Sequence, residues 1–354
     1  MRPSPAKAYV LGQISRFRVL AGRNEEAVAV GQVALAMAEQ FGLDSVRAAT
    51  LNNIGTSRFQ AGDEGGLEDL RGAIELAVEA NSVELCRAYV NLATCFSALG
   101  KPERSLAMVE LAAQASERFG DWTGLQFARG QLPMLYCELG RWDEAVRVIA
   151  ELLEEVPKHY LAGEWRLARA EIALARDDVE QAMQDAADGL EQAREAGDPP
   201  IMEPVLVATA LIYLQTGRQD EAHLLLDELL TSKEAEGEIS MTAGFRLEVG
   251  LLARALGEAH RVLAVLDRLV LRSPHYDAAR ALARGDTLAA AEICRGIPEP
   301  SREAQLRLVA AEELVAQSRR AEADAQVRRA LPVAQALGAT RWVRQGEALL
   351  ATSA

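Results

Sequence analysis

The sequence predicts an all-α solenoid of stacked helix pairs, and three observations carry that expectation. Ala, Leu, Glu and Arg are abundant in the 354 residues, 49% are apolar, and only 5% are aromatic. These are helix formers, and the β-branched or aromatic runs that mark strands are scarce. Next, a short pattern recurs: an apolar residue, Gly, a few polar residues, then a small residue opening an amphipathic run. Its spacing is the third observation. The small or apolar residue after each turn falls at 27, 67, 105, 145, 182, 222, 262, 290 and 323, giving six steps of 37–40 residues and then steps of 28 and 33. A fixed period in this range marks a repeat architecture, and a chain this long exceeds what one compact core usually holds.

The clearest turns are Leu139-Gly140-Arg141-Trp142-Asp143-Glu144-Ala145 and Gly217-Arg218-Gln219-Asp220-Glu221-Ala222. Ala21-Gly22 through Ala27 and Leu99-Gly100 through Ser105 match well, and weaker copies surround Gly62, Asp177, Gly257, Gly285 and Ser318. A helix must end and the chain reverse at each, through a left-handed conformation that Gly tolerates. The acidic residue just beyond suits the positive end of the next helix. The following small residue lets two helices approach closely.

Between turns, apolar residues keep helical spacing, as in Leu85, Tyr89, Leu92, Phe96 and Leu99. A second punctuation closes each pair: Phe41-Gly42-Leu43-Asp44, Phe119-Gly120-Asp121, Ala196-Gly197-Asp198-Pro199 and Leu337-Gly338-Ala339-Thr340. Residues 1–230 therefore read as a regular array, and 231–354 as a less regular continuation of it. The polar stretch Thr231–Glu238 predicts a longer connection, with a break in regularity between about 231 and 245. Tighter helix pairs are expected beyond 275, interrupted by Ile297-Pro298-Glu299-Pro300, and residues 340–351 should form a terminal capping helix.

The stretch Ala88–Phe96, followed by Leu99-Gly100 and Ser105, resembles the tetratricopeptide motif. In that family the residues matching Leu92, Ala93, Phe96, Ser105 and Ala112 pack the two helices of a pair. The resemblance implies a right-handed superhelical solenoid, here with a period of about 40 residues in place of the family's shorter one. A further likeness rests on Leu51-Asn52-Asn53-Ile54-Gly55, Gly140-Arg141-Trp142-Asp143-Glu144-Ala145 and the ending Gly338–Ala351. Together these resemble the C-terminal repeat region of actinobacterial-type multidomain signalling proteins that carry a class III adenylate or guanylate cyclase domain and an AAA-type ATPase domain. The likeness spans about residues 8–351. It implies a repeat arm that senses a partner and controls other domains. This chain has no G-x-x-x-x-G-K-[ST] loop and no segment suited to a cyclase's metal-binding aspartates, so neither activity carries over. It reads as a stand-alone relative of such proteins or as the tail of a longer one.

Nothing in the sequence points to catalysis. His159, His223, His260 and His275 stand in no metal-ligand spacing, and no G-x-S-x-G or G-x-G-x-x-G motif is present. Cys86, Cys95, Cys137 and Cys294 stand singly within helical runs, which fits free thiols in a reducing, cytoplasmic setting. Glu151, Glu154 and Glu155 read as a solvated helix face. So do the C-terminal basic residues Arg302, Arg307, Arg319, Arg320, Arg328, Arg329, Arg341 and Arg344. A net charge of −14 opposes a nucleic-acid surface, and no apolar run is long enough to span a membrane. No catalytic residue, cofactor or metal is expected, and the sequence sets no oligomeric state.

The candidate site is a groove. In the tetratricopeptide family the first helix of each pair lines the concave side. By register with Leu92 that places Gln13, Arg16, Asn52, Asn53, Thr56, Arg87, Asn91, Thr94, Gln131 and Glu138 on or near it. Two readings of the asparagines stay open: they hydrogen-bond an extended peptide, or they bond the neighbouring repeat. Arg16 and Arg87 are suited to meet a carboxylate. The expected function is a protein- or peptide-binding regulatory arm. A severed tail of a cyclase, ATPase or transcription regulator is the alternative. A receptor holding a small molecule or signalling peptide is fainter, and a DNA-binding role ranks last.

Overall fold

The computed structural model describes residues 2–236, 239, 244 and 246–351. The described residues form nineteen helices and no strand; the one extended contact is an isolated parallel bridge between Ile239 and Leu269. They divide into two compact units, with the boundary after Gln131 inside a helix.

The first unit holds α1 (Pro5–Leu20), α2 (Asn24–Gln40), α3 (Asp44–Gln60), α4 (Gly66–Glu79), α5 (Glu84–Ala98), α6 (Pro102–Phe119) and the first part of α7 (Trp122–Glu138). Ile239 and Leu269–Arg272 also belong to it. Successive helices pair, α1 with α2, α3 with α4 and α5 with α6, and each pair stacks on the next. Small residues set the spacing within a pair: Ser15 donates its hydroxyl to the Ala27 carbonyl at 2.8 Å, and Ser105 does the same to Ala93 at 2.8 Å. Leu92, Ala93, Phe96, Ser105 and Ala112 are all buried, as the motif requires.

One register detail differs from the sequence reading. In the α3–α4 pair the close-approach residue is Gly66, with Leu67 only half-buried. A Cβ at Gly66 would run into the carbonyl oxygen of Gly55, and a Cβ at Gly55 would lie 2.7 Å from the carbonyl of Gly66. Backbones meet here directly, so only glycine fits on either side.

The second unit continues with α8 (Trp142–Glu155), α9 (Ala162–Ala175), α10 (Val179–Ala196), α11 (Pro199–Gln215) and α12 (Gln219–Ala235). It ends with α13 (Leu247–Leu256), α14 (Ala259–Leu266), α15 (Pro274–Ala283), α16 (Thr287–Gly296), α17 (Pro300–Ala316), α18 (Arg320–Ala336) and α19 (Thr340–Ala351). Helix α12 runs through Ala235 and buries Lys233, which Glu203 and Glu236 neutralise, so the first part of the expected polar connection is helix. Of the remainder, residues 237, 238, 240–243 and 245 lie outside the described residues. Helices α15 and α16 are short, at 10 residues each, whereas α17 and α18 return to 17.

The turns follow the sequence pattern closely. Gly22, Gly62, Gly100, Gly140, Gly217, Gly257 and Gly285 all have positive φ. Asp177 (φ 72°) and Ser318 (φ 61°) take the same conformation without being glycine. The terminal helix caps the array and also closes this unit on itself. Trp342 of α19 meets Trp142 of α8 edge to face at 5.5 Å, and the Thr340 hydroxyl donates to the Arg176 carbonyl at 2.8 Å. Arg341 donates to the Gln215 carbonyl at 2.9 Å, and Arg344 pairs with Asp177 at 2.6 Å. Among the described residues no helix is long and apolar enough to cross a membrane.

Candidate functional site

Within the first unit, α1, α3 and α5 bring four of the expected residues into one hydrogen-bonded ladder. Asn53 Nδ2 donates to the Gly12 carbonyl of α1 at 3.1 Å, and its Oδ1 accepts from Arg87 Nη1 of α5 at 2.7 Å. Arg87 also donates to the Ala49 carbonyl at 3.2 Å and from Nε to Glu84 at 2.8 Å. Asn91 Nδ2 donates to Asn52 Oδ1 at 3.1 Å. Asn52 and Asn53 are buried, so these amides tie neighbouring repeats together. Polar groups in such a position must be paired, because an unmade bond there costs the full desolvation of the group. Asn52 Nδ2 is buried without a hydrogen-bond partner, which leaves both N–H donors of that amide unspent.

The other expected residues surround this ladder or lie apart from it. Thr56 is buried and its hydroxyl donates to the Asn52 carbonyl at 2.8 Å. Thr94 is exposed and donates to the Val90 carbonyl of its own helix at 3.1 Å. Gln13 and Gln131 are half-buried, and Arg16 is exposed. Burial holds the Arg87 guanidinium below its ordinary value; Glu84 opposes that shift and the nearby Arg16 adds to it. Two like charges within reach of each other both gain from an anion placed between them.

Glu138 belongs to the second unit, where it meets a different environment. It accepts from Arg246 Nη1 at 2.6 Å, while Arg246 Nη2 donates to Glu299 at 3.0 Å. His275 lies 3.6 Å from the same Glu299 carboxylate. Arg302 pairs with Glu171 at 2.8 Å and with Glu248 at 2.5 Å. Five inner helices or their caps thus converge on one mixed ionic cluster with more carboxylates than guanidinium groups. Burial raises the Glu171 carboxyl against the pull of Arg302, and raises Glu299 against Arg246. At Glu248 burial acts the same way, but Arg302 and Arg246 outweigh it and hold the group low.

Sequence reasoning reached Glu138 and missed its partners. Arg302 and Arg307 had the signature of a solvated basic face, and the structure corrects this. Arg307 is 1% exposed and bonded to Glu303, Gln326 and Glu292, whereas Arg344, at 65%, does face solvent. Helical spacing reports which residues share a face, and partners that arrive from distant helices leave no local signal. Among the described residues no group of His, Cys, Asp and Glu side chains is placed to hold a metal ion.

A family model described as tetratricopeptide repeat matches residues 128–161. No curated protein matches the chain. Among solved structures, the chain is similar to a Rap protein complexed with Competence and Sporulation Factor, at TM-score 0.53 and 19% identity over 65% of this chain and 64% of that one. It therefore spans a little under two thirds of the Rap chain. It is also similar to NprR in complex with its cognate peptide NprX, at TM-score 0.55 and 14% identity over 81% and 80% of the two chains. The apo form of the quorum sensor NprR from B. thuringiensis gives TM-score 0.52 and 14% identity over 92% and 87%. The paired helices, the left-handed turns and these likenesses together make the chain a tetratricopeptide-type helical repeat protein in fold.

Proposed function

We propose that the chain is a non-catalytic regulatory module that binds an extended peptide or protein segment along the first helices of its first unit. The observation that carries this reading is the ladder across α1, α3 and α5, with Arg16 and Arg87 close enough to oppose each other electrostatically. The ladder fixes Asn91 and Arg87 rigidly, and the exposed Arg16 and half-buried Gln13 supply adaptable groups beside them. A carboxylate, from an acidic side chain or a chain terminus, is the ligand group this charge pattern favours. Thr56, Thr94 and Gln131 extend the same set along the stack. Two structurally similar proteins, Rap and NprR, were captured with Competence and Sporulation Factor and with a cognate peptide respectively, which supports a peptide or protein ligand here.

Capture from a native lysate tests the reading, comparing wild type with an Arg16→Glu/Asn91→Ala variant. A partner retained by wild type and lost by the variant supports the groove. A partner bound equally by both moves recognition elsewhere.

Within the same reading, the module serves bacterial signalling in the cytoplasm, either alone or as the sensor arm of a cyclase- and ATPase-containing protein. The motifs Leu51–Gly55 and Gly338–Ala351 support the second form. Sequencing the gene upstream decides it: an in-frame phosphate-binding loop supports the arm, and a stop codon close to Met1 rejects it.

A further inference from the structure

The second unit is closed by contacts between elements that are not neighbours in the array. Arg176, at the end of α9, donates to the Leu337 carbonyl beyond α18 at 3.4 Å and pairs with Asp143 of α8 at 2.6 Å. The first turns of α19 complete the closure. Trp342 meets Trp142, Thr340 donates to the Arg176 carbonyl, Arg341 donates to the Gln215 carbonyl, and Arg344 pairs with Asp177. A stack of helix pairs does not require such a return, because each pair is stabilised by its neighbours.

The closure differs in kind from the stacking. Inside the unit, α13, α15, α16 and α17 bury Leu247, Leu282, Cys294 and Leu306 in one apolar core. Helix α19 lies equally close on α18, where a Cβ at Gly346 would meet Leu331 at 2.8 Å. Across the closure, apolar contact rests on the tryptophan pair and on Gly140, which backs on Pro300 and Leu337. The rest is ionic or aimed at carbonyls. Arg344 is 65% exposed and Asp143 90%, so water and salt screen both pairs. The Arg176 and Gln215 carbonyls lie at helix C-termini, where water serves as well as a side chain. A cavity of about 140 Å³, lined by Arg141, Asp143, Glu144 and Arg176 among others, remains between the start of α8 and the end of α18. These surfaces do not reach the close packing of a core.

The ionic cluster crosses the ring as well. Arg302 of α17 reaches Glu171 of α9, and Arg246 at the start of α13 reaches Glu138 of α7. Taking an ion pair out of water costs about as much as its attraction returns, and the excess of carboxylates in the cluster adds repulsion. Water therefore replaces most of what an opening would break, while every helix pair keeps its own core.

We infer that the end of α18 and α19 form a releasable clasp, whose opening turns the second unit from a closed ring into an open arc and exposes the inner faces of α7 and α9. Trp142 and Trp342 are its catch. This device does not depend on the groove reading of the first unit.

Distances between spin labels on the full chain test it. Ala150 of α8 and Glu347 of α19 are both exposed, so Ala150→Cys/Glu347→Cys places one label on each side of the clasp. A second pair, Gln335→Cys/Glu347→Cys, reports whether α19 stays on α18. The four native thiols are buried or half-buried, and labelling of wild type checks that they stay unreacted. Across the clasp, Trp342→Ala and Arg344→Glu should each raise the population at the longer distance at least about threefold, the shift expected from one aromatic pair or one exposed ion pair. The α18–α19 distance and the circular dichroism should stay as in wild type. Arg344 is exposed, so Arg344→Glu decides the matter if Trp342→Ala loses helix. A single short distance across the clasp, unchanged in Arg344→Glu, overturns the inference. So does a changed α18–α19 distance, which would mean that α19 peels away alone and the ring does not open.

Discussion

Arg302 Nη2 donates to Glu171 Oε2 at 2.8 Å and so joins α17 to α9 across 131 residues of sequence. The same guanidinium holds Glu248 of α13 at 2.5 Å, so one side chain ties three inner helices of the second unit. Both carboxylates sit where burial penalises their charge, and Arg302 is the cation that makes the arrangement tolerable. Arg302→Leu should therefore destabilise the chain by about 2–4 kcal/mol in urea unfolding, because it leaves uncompensated charge in the cluster. Adding Glu171→Gln should recover part of that loss, since the two residues share one interaction.

The Asn53–Arg87 bond gives a matching expectation for the first unit. Asn53→Ala removes the bond to the Gly12 carbonyl and strips Arg87 of one acceptor, and should cost about 1–3 kcal/mol. Asn91→Ala loses one half-buried bond to Asn52 and should cost about 1 kcal/mol or less. Equal effects in thermal unfolding would mean that the ladder does not distinguish a buried amide from one at its edge.

Glu164, in the first turn of α9, sets a pH dependence. Burial first, and Asp198 second, push its carboxyl from 4.5 up to about 8. A carboxyl raised on folding contributes stability that is fully present below about pH 4.5 and is lost as pH rises toward 8. Glu164→Gln removes that slope. Relative to wild type, the variant should gain stability between pH 5 and pH 8, by on the order of 1–2 kcal/mol after solvent screening. Chemical denaturation at both pH values checks the sign.

Ser318 holds a left-handed turn at φ 61° that glycine fills in most other repeats. Ser318→Gly relieves that strain and should stabilise the chain by about 0.5–1 kcal/mol. The opposite change, Gly66→Ala, forces a methyl group into the Gly55 carbonyl and should cost about 1–3 kcal/mol.

These positions also show what the sequence made legible. Asp177 and Ser318 were found as weak copies of a glycine turn, and both adopt its backbone, because a turn is a local feature repeated at a fixed interval. The α19 helix was equally visible, since Gly338 and Thr340 punctuate its start. Spacing points to Leu67, one residue beyond the contact at Gly66, because an apolar residue next to a glycine gives spacing no way to choose between them. At Arg302 and Arg307 the helical spacing misleads for a different reason. Glu171 and Glu248, which pair with Arg302, and Glu292 and Gln326, which bond Arg307, lie on other helices, up to 131 residues away, and only the fold of the second unit brings them together. The asparagines fell between these cases. Their recurrence is legible in the sequence, whereas their bonds to neighbouring repeats depend on how the helices stack.

The ladder face of the first unit is proposed to bind a peptide or protein segment carrying a carboxylate. Selection of a displayed random-peptide library on the intact chain tests it most directly, with enriched peptides then titrated into wild type, Arg16→Glu and Asn91→Ala. Enriched sequences should carry an acidic residue or a free C-terminus, and Arg16→Glu should bind them at least about tenfold more weakly, as loss of a charge-assisted hydrogen bond implies. Peptides without a carboxylate, or peptides bound equally well by all three proteins, would contradict it.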